Sequence, residues 1–392
     1  MKIFKLKFFL VFSVILFLSL PFFFFVNKRL AYYSYKEVVY ATIINNIAGR
    51  ERNPEKISFL LLDYFYYNLF TPFGATVVDK DTYNDLIRGI AWCDQRSWGL
   101  ETFLGKKGIN SRMLMTRNPE GASKHTVLEV FIGGKWRFFD PFYGLAIRND
   151  NGDLASYEDI CRYPHLFYLS SPMFMFKEVE PDKYLKVKDY FIKNVFYSQP
   201  TEPIIWSNPI PNRDTKHKII TKVLDFYIYL FGNKFSYLYQ GVYMKYFLPE
   251  DKADRMFLKA RNYDLFGRYQ PAISLYKDFI VDFPGHPASE DAFFFLGVAY
   301  NKTKDLRLSI DILQTLLDRY PKVKWKRIAL YYLGYDYELS GEYELAKKYY
   351  WQAINAYNQF GKDYLQPGEL KDVRRLYPLL NEGKSVAPGA PK

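Results

Sequence analysis

The stretch HTVLEVFIGGKWRFFDPF, residues 125–142, decides how the first half of this chain is read. Apolar residues alternate on either side of Gly133 and Gly134, the pattern of a β-hairpin closed by a two-residue turn. With Ile132 opposite Lys135, counting back along both strands puts His125 opposite Phe142. Asp140 is then the diagonal neighbour of His125 on the same face. Diagonal partners lie about 7–8 Å apart at the backbone, a gap that an imidazole and a carboxylate can bridge. A register slip of one residue would send them to opposite faces.

Upstream, TYNDLIRGIAWCDQRSWGLETFLGKKGI (residues 82–109) predicts two helices broken near Gly89, with Cys93 opening the second. A helix N-terminus and a neighbouring imidazole both favour a thiolate, and a third polar group is needed to orient that imidazole. Three other readings of Cys93 stand beside the nucleophile. It could be a small buried apolar residue, half of a bridge to Cys161, or a metal ligand. The chain has no CxxC, and His125, His165, His217 and His286 are scattered, with only Cys161 and His165 close in sequence. No four-ligand zinc set follows from that spacing, and neither a metal nor another cofactor is expected.

Taken together, WCDQRSWGLETFLGKKGINSRMLM and HTVLEVFIGGKWRFFDPFYG resemble the core of the transglutaminase-like superfamily over roughly residues 85–145. The shared pattern is a Cys at a helix start (Cys93), a strand entry Gly108-Ile109 followed by Arg112, a His opening a strand (His125), and an Asp-Pro closing the next (Asp140, Pro141). The resemblance implies a papain-like α+β fold with a catalytic triad. Cys93 would be the nucleophile, His125 the general base and acid, and Asp140 the orienter of His125. The implied chemistry is acyl transfer through a thioester, with the backbone N–H of Cys93 as one oxyanion donor. The second donor is open between neighbours such as Trp92 and Gln95. Arg112 reads as structural, and Glu129, on the same predicted face as His125, reads as a salt-bridge partner rather than a catalytic acid.

From Asp251 onward the pattern is an internal repeat. Ala260, Gly297 and Gly334 recur 37 residues apart, as do Pro284 and Pro321. Each small residue precedes a second helical run, with Ala272 and Tyr276 in the first unit and Ala346 and Tyr350 in the third. This resembles the tetratricopeptide repeat, in which small residues let antiparallel helices approach and stacking buries faces no single pair could bury. The resemblance implies an all-α solenoid that takes up a protein partner.

The chain carries a net charge of +12 and 20% aromatic residues. Its Lys and Arg are spread along its length, with KDVRR at 371–375 the densest run, so a nucleic-acid footprint is not expected. The N-terminus pairs a basic start (Lys2, Lys5, Lys7) with an uncharged apolar run from Phe8 to Val26. As a helix that run would rise about 28 Å, close to the roughly 30 Å hydrocarbon core. It reads as a single-pass signal anchor with the bulk of the chain outside the cytoplasm.

The expected organisation is an anchor over 1–30, a transglutaminase-like domain over 31–199 and a proline-rich connector with an aromatic helix over 200–250. Repeats over 251–365 and a C-terminal segment with a disordered tail over 366–392 complete it. Two functions compete. One is a membrane-anchored thiol acyl transferase or cysteine peptidase acting on peptide or protein amides, with the repeats recruiting a partner. The other is a non-catalytic scaffold in an envelope or polysaccharide-export assembly.

Overall fold

The computed structural model describes residues 19–72, 78, 81–117, 123–163, 165–166, 204–207 and 215–358. It shows a mostly helical chain with a small antiparallel sheet and a C-terminal array of helix hairpins.

Helices α1 (Lys28–Ala48), α2 (Pro54–Asn68), α3 (Thr82–Arg88) and α4 (Cys93–Lys106) precede the sheet. Pro54 at the first position and Asn53 as cap, accepting from the amides of Glu55 and Lys56, start α2. Gly89, left-handed at φ +65°, ends α3 and frees the chain to turn into α4. Helix α4 lies close on α2, because a Cβ at Gly99 would stand 2.4 Å from the Phe65 ring.

The sheet runs in the order β4-β3-β2-β1-β5, all antiparallel, with β1 Ser111–Arg117, β2 Ser123–Ile132, β3 Lys135–Asp140, β4 Leu145–Ala146 and β5 Ile204–Ser207. Both turn glycines have positive φ, +61° at Gly133 and +77° at Gly134, as a type I′ turn demands. Ile132 pairs with Lys135 and Leu128 with Phe139, the register read from the turn. A short helix α5 (Tyr157–Arg162) follows.

The 200–250 stretch is more than a link between domains. It supplies β5, which pairs with β1, and two helices, α6 (Thr215–Phe231) and α7 (Asn233–Tyr246), which join the core built on α1, α2 and α4. Leu224, Tyr227, Tyr239 and Tyr243 are buried there, and Tyr35 of α1 stacks on Tyr243 at 3.8 Å.

The N-terminal run departs from the anchor expectation over its described part. Leu20–Val26 is a short 3₁₀ helix, not the end of a continuous α-helix. Pro21 stands at its start and is buried, and Phe25 packs on Tyr239 at 4.6 Å and Phe247 at 5.3 Å. Aromatic partners on α7 offer these rings a core, so the segment folds back onto the domain. No helix of the described residues is long and apolar enough to cross a membrane. Residues 1–18, which carry the rest of the run, lie outside the described residues, as do 167–203 of the first domain and the tail beyond 358.

Among the described residues the repeats form three hairpins: α8 (Lys252–Leu265) with α9 (Tyr269–Asp282), α10 (Ser289–Thr303) with α11 (Leu306–Arg319), and α12 (Lys326–Leu339) with α13 (Tyr343–Asn358). The small residues sit where the helices touch. A Cβ at Gly297 would meet Leu313 at 2.6 Å, and one at Gly334 would meet the Tyr350 ring at 2.5 Å.

The first helices of these hairpins face the N-terminal domain. Phe70 enters a box of Phe294, Trp325 and Tyr332. Arg261 donates to the backbone carbonyls of Leu86 and Ile87, and Asn262 accepts from the Tyr35 and Tyr83 hydroxyls. These residues of the first helices are therefore partnered by the N-terminal domain of the same chain.

Candidate active site

Cys93 is the first residue of α4 and is partly buried. The helix start is locked by Gln95, whose Oε1 accepts from the Trp92 amide at 3.0 Å. The Gln95 amide nitrogen donates to the Val78 carbonyl and to Asp85 Oδ1. Gln95 thus holds the loop in place and has no donor left for a substrate.

His125 is near the start of β2 and Asp140 is the last residue of β3. The hairpin register brings them together: His125 Nε2 lies 2.7 Å from Asp140 Oδ2, with the ring 4% and the carboxylate 0% exposed. Asp140 Oδ1 accepts from the amides of Phe142 and Tyr143, so both carboxylate oxygens are occupied and its orientation is set. Because Asp140 takes Nε2, the nitrogen left for the thiol is Nδ1, and Cys93 lies within hydrogen-bonding reach of the ring. Phe142 and Tyr143 pack their rings against the imidazole.

Burial works against a charged His125, but the Asp140 carboxylate, its hydrogen bond and the Cys93 sulfur outweigh burial and lift the ring to about 10. That direction describes an imidazolium held by the Asp140 carboxylate, with the Cys93 sulfur beside the same ring. Cys93, His125 and Asp140, proposed from separate stretches, are thus one constellation.

Two neighbours carry signals that the sequence reading left open or missed. The indole Nε1 of Trp92 is buried and has no hydrogen-bond partner among the described residues. Arg96, one turn after Cys93, is fully buried. Burial lowers its guanidinium to about 10, while Tyr66, Asp140 and Cys93 oppose that shift. An arginine inside the apolar stripe Arg96–Leu100–Leu104 was the available signal.

Arg112 and Glu129 pair across β1 and β2, with Nη2 at 2.6 Å from Oε2, while Glu129 Oε1 accepts from the Tyr157 amide. They brace β1 against β2 and the start of α5. Cys93 and Cys161 are both free, so no bridge joins them. Among the described residues, Asp251, Asp254 and His286 bring ligand atoms within 4.8 Å of one another, far along the chain at the first repeat. Two of the three are exposed, and Asp251 already caps α8.

No curated protein matches the chain. A family model of the tetratricopeptide repeat matches residues 291–322, which cover most of α10, all of α11 and Pro321. Among solved structures, the chain is similar to the tetratricopeptide-like repeats of a kinesin light chain from Podospora anserina. That match has 14% identity and a TM-score of 0.32, and covers 40% of this chain and 83% of that one. The C-terminal half of this chain carries tetratricopeptide repeats, modules of protein–protein interaction.

Proposed function

We propose that the N-terminal domain is a transglutaminase-like, papain-like thiol enzyme acting on peptide or protein amides, and that the repeats serve it as scaffold and partner surface. The observation that carries this reading is the buried 2.7 Å contact between His125 Nε2 and Asp140 Oδ2, with Cys93 at a helix start beside the same ring. In this reading the Cys93 thiolate attacks the amide carbon and a C–S bond forms. As the C–N bond breaks, His125 gives its proton to the leaving amine. Water or an acceptor amine, deprotonated by His125, then resolves the thioester. The oxyanion is met by the Cys93 backbone N–H at the helix start and by the Trp92 indole N–H, a buried donor without a partner among the described residues. Residues 1–18, with Lys2, Lys5 and Lys7 ahead of the apolar run, are proposed to hold the protein at a membrane, the bulk of the chain outside the cytoplasm.

The test is interception of the acyl-enzyme. The full chain is mixed with a peptide library and quenched in acid, and the intact mass of the protein is read. An adduct mapping to Cys93, discharged by hydroxylamine and missing in Cys93→Ala and His125→Ala, is the expected result. A wild-type chain that forms no adduct and whose Cys93 alkylates like an ordinary thiol overturns the enzyme reading.

A scaffold without catalysis is the second reading. It is favoured by Val281, Leu308, Leu339 and Tyr343, which stay exposed on the repeats and offer a partner apolar area.

A further inference from the structure

Arg96 is the residue in this domain whose presence most needs a reason. It is 0% exposed, and among the described residues no carboxylate comes within ion-pair distance of it. A buried cation without a direct counter-ion is strongly disfavoured, and an apolar residue of similar volume would fill the same space without that penalty. Each of its three nitrogens donates to a neutral group instead. Nε donates to the Ala91 carbonyl at 3.2 Å, Nη1 to the Phe142 carbonyl at 3.4 Å and Nη2 to Thr71 Oγ1 at 3.2 Å. The guanidinium also lies 5.2 Å from the Phe142 ring centroid.

Those partners are not arbitrary. Ala91 lies two residues before Cys93, and Phe142 lies two residues after Asp140. Thr71 itself donates to the Ala91 carbonyl at 2.8 Å. One side chain therefore ties the approach to the nucleophile to the turn that carries the carboxylate. The charges point the same way. With Cys93 as thiolate, His125 as imidazolium and Asp140 as carboxylate, the set, of which Cys93 is only partly buried, sums to −1, and Arg96 brings it to zero. Without that charge, the cheapest way for the set to shed an unbalanced anion is to protonate the sulfur.

Resting on the thiol-enzyme reading above, we infer that Arg96 is a positioning residue that holds Cys93 in its thiolate form by neutralising the Cys93–His125–Asp140 set and fixing its two ends. The titratable groups facing it are Tyr66 from α2, Asp140 from the sheet and Cys93 on its own helix.

The experiment is the rate of Cys93 alkylation by iodoacetamide against pH, in the full chain carrying Cys161→Ser so that one thiol remains. Wild type is expected to inflect well below the roughly 8.5 of a free cysteine. Arg96→Met should raise that inflection by about one unit, a tenfold slower reaction on the acid side, while both proteins meet at high pH. Arg96→Lys keeps the charge and should recover most of the shift. Thr71→Val removes one hydrogen bond but no charge, and should leave the inflection where it was. If Arg96→Met does not fold, Arg96→Gln and Arg96→Lys carry the same comparison. A folded, uncharged Arg96 variant with the wild-type inflection overturns the inference. So does a Thr71→Val shift as large as that of Arg96→Met, which would mark the role as structural only. A wild-type profile like that of an ordinary cysteine is a different failure: it removes the thiol-enzyme reading, and the inference with it.

Discussion

Phe70, at the end of the segment following α2, meets Phe294 of the second repeat edge to face, with ring centroids 5.4 Å apart at 86°. Thr71, the next residue, bonds the Ala91 carbonyl and receives Arg96. One short segment thus touches the repeats on one side and the loop ahead of Cys93 on the other. Phe70→Ala should lower stability by about 3–5 kcal/mol, the usual range for emptying a buried aromatic site. It should also slow Cys93 alkylation in the fraction that stays folded. Thermal unfolding with alkylation of the native fraction reads both, and an unchanged midpoint would show that the aromatic box is not a structural joint.

His125 sets a pH window for stability. Burial opposes its charge, yet Asp140 and Cys93 raise it from the ordinary 6.5 to about 10, so the folded chain keeps a proton that the unfolded chain releases. This contribution is full below about 6.5 and is lost as pH rises through about 10. Denaturant midpoints of wild type should fall across that interval, and those of His125→Asn should fall less. Parallel curves for the two proteins would refute the assignment.

Asp336 behaves in the opposite chemical sense at the junction of the second and third repeats. Burial pushes its carboxyl up to about 6, against the hydrogen bonds from Ser309 and Asn301. Ser309 Oγ lies 2.6 Å from Asp336 Oδ2 and 2.9 Å from the Gly297 carbonyl, and one hydroxyl proton cannot serve both. A protonated Asp336 resolves the conflict by donating to Ser309. The stabilising form is therefore the acid, and its contribution is lost as pH rises through about 6. Asp336→Asn, which always has a proton to donate, should match or exceed wild-type stability at pH 8, by about 1–3 kcal/mol, with the gap closing toward pH 5. A loss of stability at pH 8 would count against this.

Glycines within helices divide by what surrounds them. At Gly334 a methyl group would stand 2.5 Å from the Tyr350 ring, and that ring is buried with its hydroxyl bonded to Glu338 at 2.6 Å. Overpacking of about 1–3 kcal/mol should exceed the roughly 1 kcal/mol that alanine gains in a helix. Gly334→Ala is expected to destabilise. Gly241, mid-helix in α7 with nothing within 4 Å of an added Cβ, should instead stabilise on substitution by about 0.5–1 kcal/mol. Chemical denaturation of the pair measures both signs.

Trp92→Phe separates chemistry from thiol activation. It removes the buried N–H, along with part of the indole ring, and leaves Cys93, His125 and Asp140 unchanged, so the alkylation profile of Cys93 should stay close to wild type. Acyl-enzyme formation should drop by about 10²–10³, the usual effect of losing one oxyanion donor. If adduct formation is unaffected, the indole plays no part in holding the oxyanion.

What was legible in the sequence had local causes. Gly133 and Gly134 can both take positive φ, and once they set the turn, the twofold alternation of strands fixes which side chains share a face. His125 and Asp140 follow from that count. The repeats were legible because close helix packing tolerates only small residues at Ala260, Gly297 and Gly334. What was not legible depends on long-range docking. Arg96 shows in the sequence only as a charge inside the stripe Arg96–Leu100–Leu104, and its role appears only once Ala91, Phe142 and Thr71 surround it. Leu20–Val26 reads as part of a span until the rings of α7 are folded beside it. Nothing near Phe70 in the chain announces the aromatic box more than 200 residues away.

The bonds from Arg261 and Asn262 to the first domain bear on how this protein could be taken apart. Asp251 looks like a natural cutting point, since the repeat pattern begins there. A fragment excised at that border would carry a guanidinium stripped of the Leu86 and Ile87 carbonyls and an amide stripped of two tyrosines. It would also bare Phe294, Trp325 and Tyr332 where Phe70 had been. The array is therefore not portable: grafted elsewhere, it would need a new host surface shaped like the one it left.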